Sequence, residues 1–183
     1  MNMPDFQPIL AGILVTLRPV KSDDWEGLYA AASNPNIWAD HPNKNRFEKE
    51  VFRAFFDDAL ASNSAFTIID KTSNAIIGSS RYHAYSHELS EVEIGWTFIA
   101  CEYWGGTYNF EIKRLMLEHA FSFAKTALFW VGNENYRSQK AMKKIGGVLR
   151  AGDYYKMDGQ KKVPYVIFEI KYDDYLTGPF AQP

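Results

Sequence analysis

Val92-Glu93-Ile94-Gly95-Trp96-Thr97-Phe98-Ile99 is followed by Tyr103-Trp104-Gly105-Gly106-Thr107-Tyr108-Asn109. The first segment is β-branched and aromatic and reads as a strand. The second is a glycine-bearing loop that opens a helix at about Tyr108, carried on through Glu111, Leu115, Met116, His119, Ala120 and Phe123. Backbone N–H groups at a helix start have no partner within the helix, and with the helix dipole they make a seat for phosphate. Glycines let a ligand approach the backbone closely. The plainer reading is a tight turn between strand and helix. The loop is neither G-x-G-x-x-G nor a Walker sequence, so dinucleotide and NTP binding lose support.

Downstream, Leu128-Phe129-Trp130-Val131 reads as a strand, and Asn135 to Ile145 as a basic amphipathic helix. Asn135 suits the N-cap, Ser138 lies one turn in, Lys140, Lys143 and Lys144 form a positive face, and Gly146-Gly147 ends the helix. Such a face is either solvated or bound to an anion. Upstream, Ile13 to Pro19 reads as a strand, and Ser22-Asp23-Asp24 caps a helix through Trp25, Leu28, Tyr29 and Ala32 that Asn34-Pro35-Asn36 stops. Ile37 to Pro42 is an aromatic loop. From Arg46 a helical pattern places Phe47, Val51, Phe55 and Ala59 on one face. Ala65–Asp70 and Ala75–Tyr82 read as a hairpin around Thr72-Ser73-Asn74. Val148–Arg150 and Val163–Ile170 complete the strands, and Lys171–Pro183 reads as a surface extension. The order β-α-α-β-β-β-α-β-α-β-β is one mixed α/β layer structure.

Composition narrows the function classes. The chain has 183 residues, 20 Lys+Arg against 22 Asp+Glu, and a formal net charge of -2, which disfavours a nucleic-acid binder. The one cysteine, Cys101, cannot form an intrachain disulfide and has no arranged histidine beside it, so it reads as inert. The first ten residues carry no signal-peptide pattern, and no apolar run approaches the ~20 residues that span a bilayer. Cytoplasmic location, no membrane and no nucleic-acid partner are the expectations. The outlier is aromatic content, 16%, with 5 Trp, 11 Tyr and 13 Phe. Most of those rings fill a core, and some are available to line a cleft.

Taken in order, the strand, loop and helix of Val92–Glu111 and the run Asn135-x-x-Ser138-x-x-Ala141-Met142-x-x-Ile145-Gly146-Gly147 resemble the GNAT superfamily of acyl-CoA-dependent N-acyltransferases. Leu17-Arg18-Pro19, Asp23-Asp24, Asn34-Pro35 and Ile76-Ile77-Gly78 are similar to the RimJ/RimL-type branch, the ribosomal-protein N-terminal acetyltransferases and their small-molecule-acting relatives. The likeness covers residues 12–170, leaving 1–11 and 171–183 as terminal extensions. It implies a single α/β domain of α+β type, with a mixed, mostly antiparallel sheet, helices on both faces and a splayed central strand pair.

The resemblance also implies a site. Trp96, Thr97, Phe98 and Ile99 pair with the pantetheine amides of acetyl-CoA, as a strand edge pairs with an extended peptide. Trp104, Gly105, Gly106, Thr107, Tyr108 and Asn109 wrap the pyrophosphate, Asn135 bonds the pantetheine arm, and Arg137 and Ser138 complete the cofactor set. The family loop, Arg/Gln-x-x-Gly-x-Gly/Ala, meets Trp104, Thr107 and Asn109 here, so the two glycines fall at its variable positions. Where many members carry a tyrosine acid, this chain has Met142, whose thioether holds no proton to give. Ser138 is then the acid that protonates the departing thiolate.

The implied reaction is direct attack of a primary amine, on a protein N-terminus or a small molecule, on the thioester in a ternary complex, with no metal. Glu93 is the base candidate through a water, set against an ordinary strand carboxylate that faces solvent or pairs with Arg81. His83 and Asp40 stand in reserve. Trp38, Asp40, Tyr82, His83, Trp96 and Tyr154 are the expected acceptor-side residues, and rings with one or two carboxylates suit a cationic amine tip. A monomer or homodimer is expected. The alternative is a non-catalytic acyl-CoA-binding or regulatory module with a degenerate pyrophosphate loop.

Overall fold

The structure, a computed structural model, describes residues 3–158 and 160–181. Its strands are β1 (Leu10–Ala11), β2 (Val15–Pro19), β3 (Ala65–Asp70), β4 (Ile76–Ser86), β5 (Glu91–Ile99), β6 (Thr126–Gly132), β7 (Val148–Leu149), β8 (Tyr154–Asp158) and β9 (Lys161–Lys171). Its helices are α1 (Trp25–Ala32), α2 (Lys49–Ala61), α3 (Thr107–Ala120), α4 (Tyr136–Lys144) and α5 (Tyr172–Thr177). The strands form one sheet in the order β1-β2-β3-β4-β5-β6-β9-β7, with β8 also on β9. Every pairing is antiparallel except β5 with β6. This is the mixed, mostly antiparallel fold implied by the sequence.

The helices cover both faces of the sheet. On one face α1 and α2 bury Leu28, Phe52, Phe56 and Ala59 against Phe98. On the other, α3 and α4 bury Ile112, Met116, Met142 and Ile145 against Leu17, Ile68 and Phe168. Strand β5 serves both faces because it changes face partway. Val92 and Ile94 point to the α3 side, whereas Phe98 points to the α2 side and Ile99 back to α3. The register with β4 slips between Arg81↔Gly95 and Ser79↔Phe98. Trp96 sits in that bulge with φ 53°, a left-handed backbone rarely held by a side chain this large. One extra residue exchanges the two faces of every residue after it. Gly78 of β4 lies against the strand just beyond, and a Cβ there would overlap Phe98 O.

Several elements differ from the sequence reading. Helix α2 starts at Lys49, so Phe47 precedes it, and the buried stripe is Phe52, Phe56 and Ala59 rather than Val51 and Phe55. The doublets Val51-Phe52 and Phe55-Phe56 offer two adjacent stripes, and packing against Trp25 and Phe98 selects the second. Asp24 is no ordinary cap. Its buried carboxylate receives Arg18 at 2.6 Å, Thr67 Oγ1 at 2.7 Å and the Lys21 N–H at 2.8 Å. The tail expected as a surface extension contains α5, and the ring of Phe180 is buried against Phe110 at 4.4 Å. Residues 1, 2, 182 and 183 of the two expected extensions lie outside the described residues. Among the described residues no helix is long and apolar enough to cross a membrane.

Candidate active site

Strands β5 and β6 pair only through Glu91↔Thr126, Val92↔Ala127 and Glu93↔Leu128. Beyond those residues they diverge, and Ile94–Ile99 and Phe129–Gly132 become two walls of a cavity of about 820 Å³. The β4-facing edge of β5 is paired and the edge facing β6 is not, so the splay exposes main-chain donors and acceptors to the cavity. One of them is used internally: the Trp104 indole N–H donates to Ile99 O at 3.0 Å.

One end of the cavity is built by the starts of α3 and α4. Gly105 has φ 76°, the left-handed region that suits glycine, and a Cβ added at Gly105 or Gly106 would meet only open space. Gly106 is the N-cap of α3, so the first-turn N–H groups of that helix stand free beside the cavity. At α4, the buried Asn135 accepts the Ser138 N–H on its side-chain oxygen at 3.1 Å, the cap expected from the sequence. Its Nδ2 has no partner among the described residues. Ser138 lies on the wall, with Lys140 and Lys144 beyond it.

The opposite end lies under the loop before α2. Trp38, His41 and Arg46 line it with Trp96, Trp130 and Tyr165. The loop is held from both sides: Trp38 Nε1 donates to Ala32 O at 2.8 Å, and Arg137 donates to Asn36 O at 3.1 Å and Ile37 O at 2.7 Å. Arg137 also lies over the Trp104 ring at 4.2 Å. It therefore ties the α3 loop to the loop before α2. Burial holds the His41 imidazole neutral, with its pKa pushed down to about 3, and lowers the Arg46 guanidinium to about 10.

Of the residues expected at the site, Trp38, Asp40, Trp96, Thr97, Phe98, Ile99, Trp104, Gly105, Asn109, Asn135, Arg137 and Ser138 line this cavity. Gly106 and Thr107 begin α3 beside it. The Tyr108 side chain turns away, its hydroxyl donating to Asp70 Oδ1 at 2.9 Å. Four expectations are corrected. Tyr82 is fully buried in the core, donating to Met116 O at 2.6 Å, so it cannot face an acceptor. His83 points outward at the surface beside Trp96, at 4.9 Å between rings, and is not part of the cavity wall. Tyr154 stands behind Trp130 at 5.6 Å and donates to Ala151 O. Glu93 is buried, off the cavity wall, and pairs with Lys156 Nζ at 3.3 Å, while Arg81 takes Asp58 at 2.7 Å. Cys101 is half-buried, and burial pushes its thiol up.

Lys113 was not anticipated. A lysine on α3 reads as solvated, and on this helix it is 2% exposed. Its Nζ donates to Thr97 Oγ1 at 2.6 Å on β5 and lies 5.4 Å from the centre of the Phe129 ring on β6. The ammonium thus sits between the diverging strands with no carboxylate paired to it among the described residues, and burial pushes its pKa down to about 7. The one signal in the sequence was position: Lys113 falls six residues after the helix start, where the inward stripe Glu111, Ile112, Leu115 and Met116 passes.

Residues 15–148 match the family model described as an acetyltransferase (GNAT) domain. The sequence has no significant match among curated proteins. The fold is similar to a GCN5-related N-acetyltransferase from Brucella melitensis, with TM-score 0.81 and 18% identity over 92% of this chain and 80% of that one. It is also similar to Mycobacterium smegmatis RimJ in complex with CoA-disulfide, at TM-score 0.68 and 17% identity over 92% and 86%. Spermidine N-acetyltransferase from Vibrio cholerae, in complex with CoA and spermine, matches with TM-score 0.67 and 18% identity over 90% and 99%.

Proposed function

Because the chain belongs to the GNAT acetyltransferase family, we propose that it moves an acetyl group from acetyl-CoA to a primary amine. Acetyl-CoA supplies the activated thioester. The observation that carries the reading is the splay of β5 from β6, which joins the free helix starts at one end of a single cavity to the ring-lined end under Trp38.

The residues divide the work by position. The free N–H groups at the start of α3, with Gly105 and Gly106 leaving room, suit a pyrophosphate, and Lys140 and Lys144 add positive charge near it. The unpaired edge of β5 suits the two amides of an extended pantetheine arm. Asn135 Nδ2, free of any internal partner, faces the same wall. The bulge at Trp96 leaves main-chain donors to polarise a thioester carbonyl.

Proton movement falls to Lys113 and Ser138. A group poised near neutral pH both holds and releases a proton under working conditions, which is what a thiolate leaving group needs. Lys113 Nζ is such a group at the fork of the two strands. Ser138 stands on α4, and its hydroxyl has no partner among the described residues. Glu93, tied to Lys156, is not the base in this scheme: the acceptor ammonium loses a proton to water at the open mouth before the neutral amine attacks, and the second proton on nitrogen leaves the same way as the amide forms.

The test is release of free CoA thiol from acetyl-CoA when short peptides, amino acids, polyamines and aminoglycosides are offered in turn. Thiol release dependent on an amine, with an N-acetylated product, supports the reading. Acetyl-CoA that raises the melting temperature with no amine ever releasing thiol points instead to a binding module.

A further inference from the structure

The ring-lined end of the cavity holds a half-buried guanidinium, Arg46, where carboxylates facing a cationic tip were expected, while the neighbouring cations Arg81 and Lys156 are paired with Asp58 and Glu93. Arg46 lies 4.9 Å from the Phe55 ring centre and 5.5 Å from that of Trp38. Lys156 Nζ lies 4.9 Å from Trp96, 5.0 Å from Trp130 and 5.4 Å from Tyr165. The nearby carboxylates are committed, Asp58 to Arg81 and Glu93 to Lys156. Asp40 is exposed at the rim. No carboxylate pairs with Arg46 among the described residues.

The contact between Arg46 and His41 brings two nitrogen donors together. His41 Nδ1 accepts the Asn43 N–H at 2.9 Å. A neutral imidazole that accepts at Nδ1 carries its proton on Nε2. That Nε2 faces Arg46 Nη1 at 3.4 Å. Two donors therefore face each other at 3.4 Å in a half-buried cavity end, where a donor facing a donor is costly. An oxygen anion between them would satisfy both, and the guanidinium fork matches a carboxylate.

We propose that the acceptor amine also carries a carboxylate, and that Arg46 and His41 Nε2 bind it beneath the Trp38 and Trp96 rings. This rests on the acetyltransferase reading and names its acceptor class: a free amino acid or a similar amino-carboxylate rather than a polyamine or a peptide N-terminus. A polyamine brings no anion, and a peptide N-terminus brings one near the reacting nitrogen only where its first side chain is acidic. The carboxylate belongs to the acceptor, not to the acyl group.

The experiment compares each free amino acid with its own carboxamide at saturating acetyl-CoA, reading thiol release as kcat/KM. The best acid is expected to exceed its amide by about tenfold or more, the size of a charge-assisted hydrogen-bonded pair. In Arg46→Gln that ratio falls toward one, in Arg46→Lys it falls part of the way, and His41→Ala lowers it independently. Retained stabilisation of each variant by acetyl-CoA shows that it is folded. A parallel thermal-shift comparison of acids and amides, with CoA present, reads the same subsite without turnover. A best acceptor that is an amide, peptide or polyamine overturns the proposal, as does any panel in which no acid exceeds its amide in either readout. So does a preference for succinyl-CoA with neutral amines. Absence of any acetyl-CoA binding or thiol release would instead remove the acetyltransferase reading itself.

Discussion

Replacing Lys113 by methionine separates two consequences of one buried ammonium. The folded chain pushes that group from the ordinary 10.5 down to about 7, and burial is the cause. Because the unfolded chain binds the proton more tightly, the charged lysine destabilises the fold below pH 7. The penalty fades as pH rises and is gone above the unfolded value. A tenfold change in proton affinity is about 1.4 kcal/mol. Between pH 7 and pH 9 the native state should therefore gain about 2 kcal/mol from this residue. Lys113→Met removes the ammonium with an unbranched side chain one atom shorter, leaves Thr97 Oγ1 its bond to Ser80 Oγ at 2.7 Å, and abolishes that gain. Urea denaturation of both proteins at pH 6, 7, 8 and 9 measures it. The variant should be the more stable protein at pH 6, with the gap closing toward pH 9. In the same variant kcat should fall about a hundredfold, the usual contribution of a proton-transferring group, with acetyl-CoA affinity nearly kept. A stability gap that does not change with pH refutes the desolvated ammonium. An unchanged kcat refutes its role in proton transfer.

Ser138→Ala should slow turnover with little loss of acetyl-CoA affinity, since the hydroxyl faces the cavity while the helix cap uses only the Ser138 N–H; unchanged turnover, read by thiol release, removes the serine from the proton path. Glu111→Gln should destabilise the fold by about 1–3 kcal/mol. The buried carboxylate accepts the N–H groups of Ile13, Leu14 and Val15 at 2.7 to 2.9 Å, and an amide turns one acceptor into a donor facing them. Chemical denaturation checks it.

The order of strands and helices and the cap on α4 were legible because they depend on local features. The β-branched run of Val92–Ile99, the glycines before Thr107 and the Asn135-x-x-Ser138 spacing each act within a few residues. The splay itself was legible only through family resemblance, since no single-strand pattern tells when a neighbour departs. What failed depended on distant contacts. Tyr82 and Trp96 both looked like pocket rings, yet strand alternation alone could not show that Tyr82 points to the α3 core. The bulge that turns Trp96 toward the cavity is a mismatch between two strands, invisible in either one. Lys113 and Arg46 drew no site reading because nothing local marks a charged side chain as buried; only the packing of α3 and of the loop before α2 does so. β8 was missed because Tyr154–Asp158 is short and largely exposed and its alternation is inverted, with Tyr155 and Met157 facing out and Lys156 half-buried. α5 was missed because the Gly178-Pro179 break beyond it drew the whole tail into one loop.

The central claim is that the cavity between β5 and β6 is where acetyl-CoA meets an amine. Thiol release from acetyl-CoA, followed in the wild-type chain and in Lys113→Met across an amine panel, tests it most directly. Expected are amine-dependent thiol release, a stoichiometric N-acetylated product, and a large loss in the variant while acetyl-CoA still stabilises both proteins. Stabilisation by acetyl-CoA with no thiol released by any amine would contradict it.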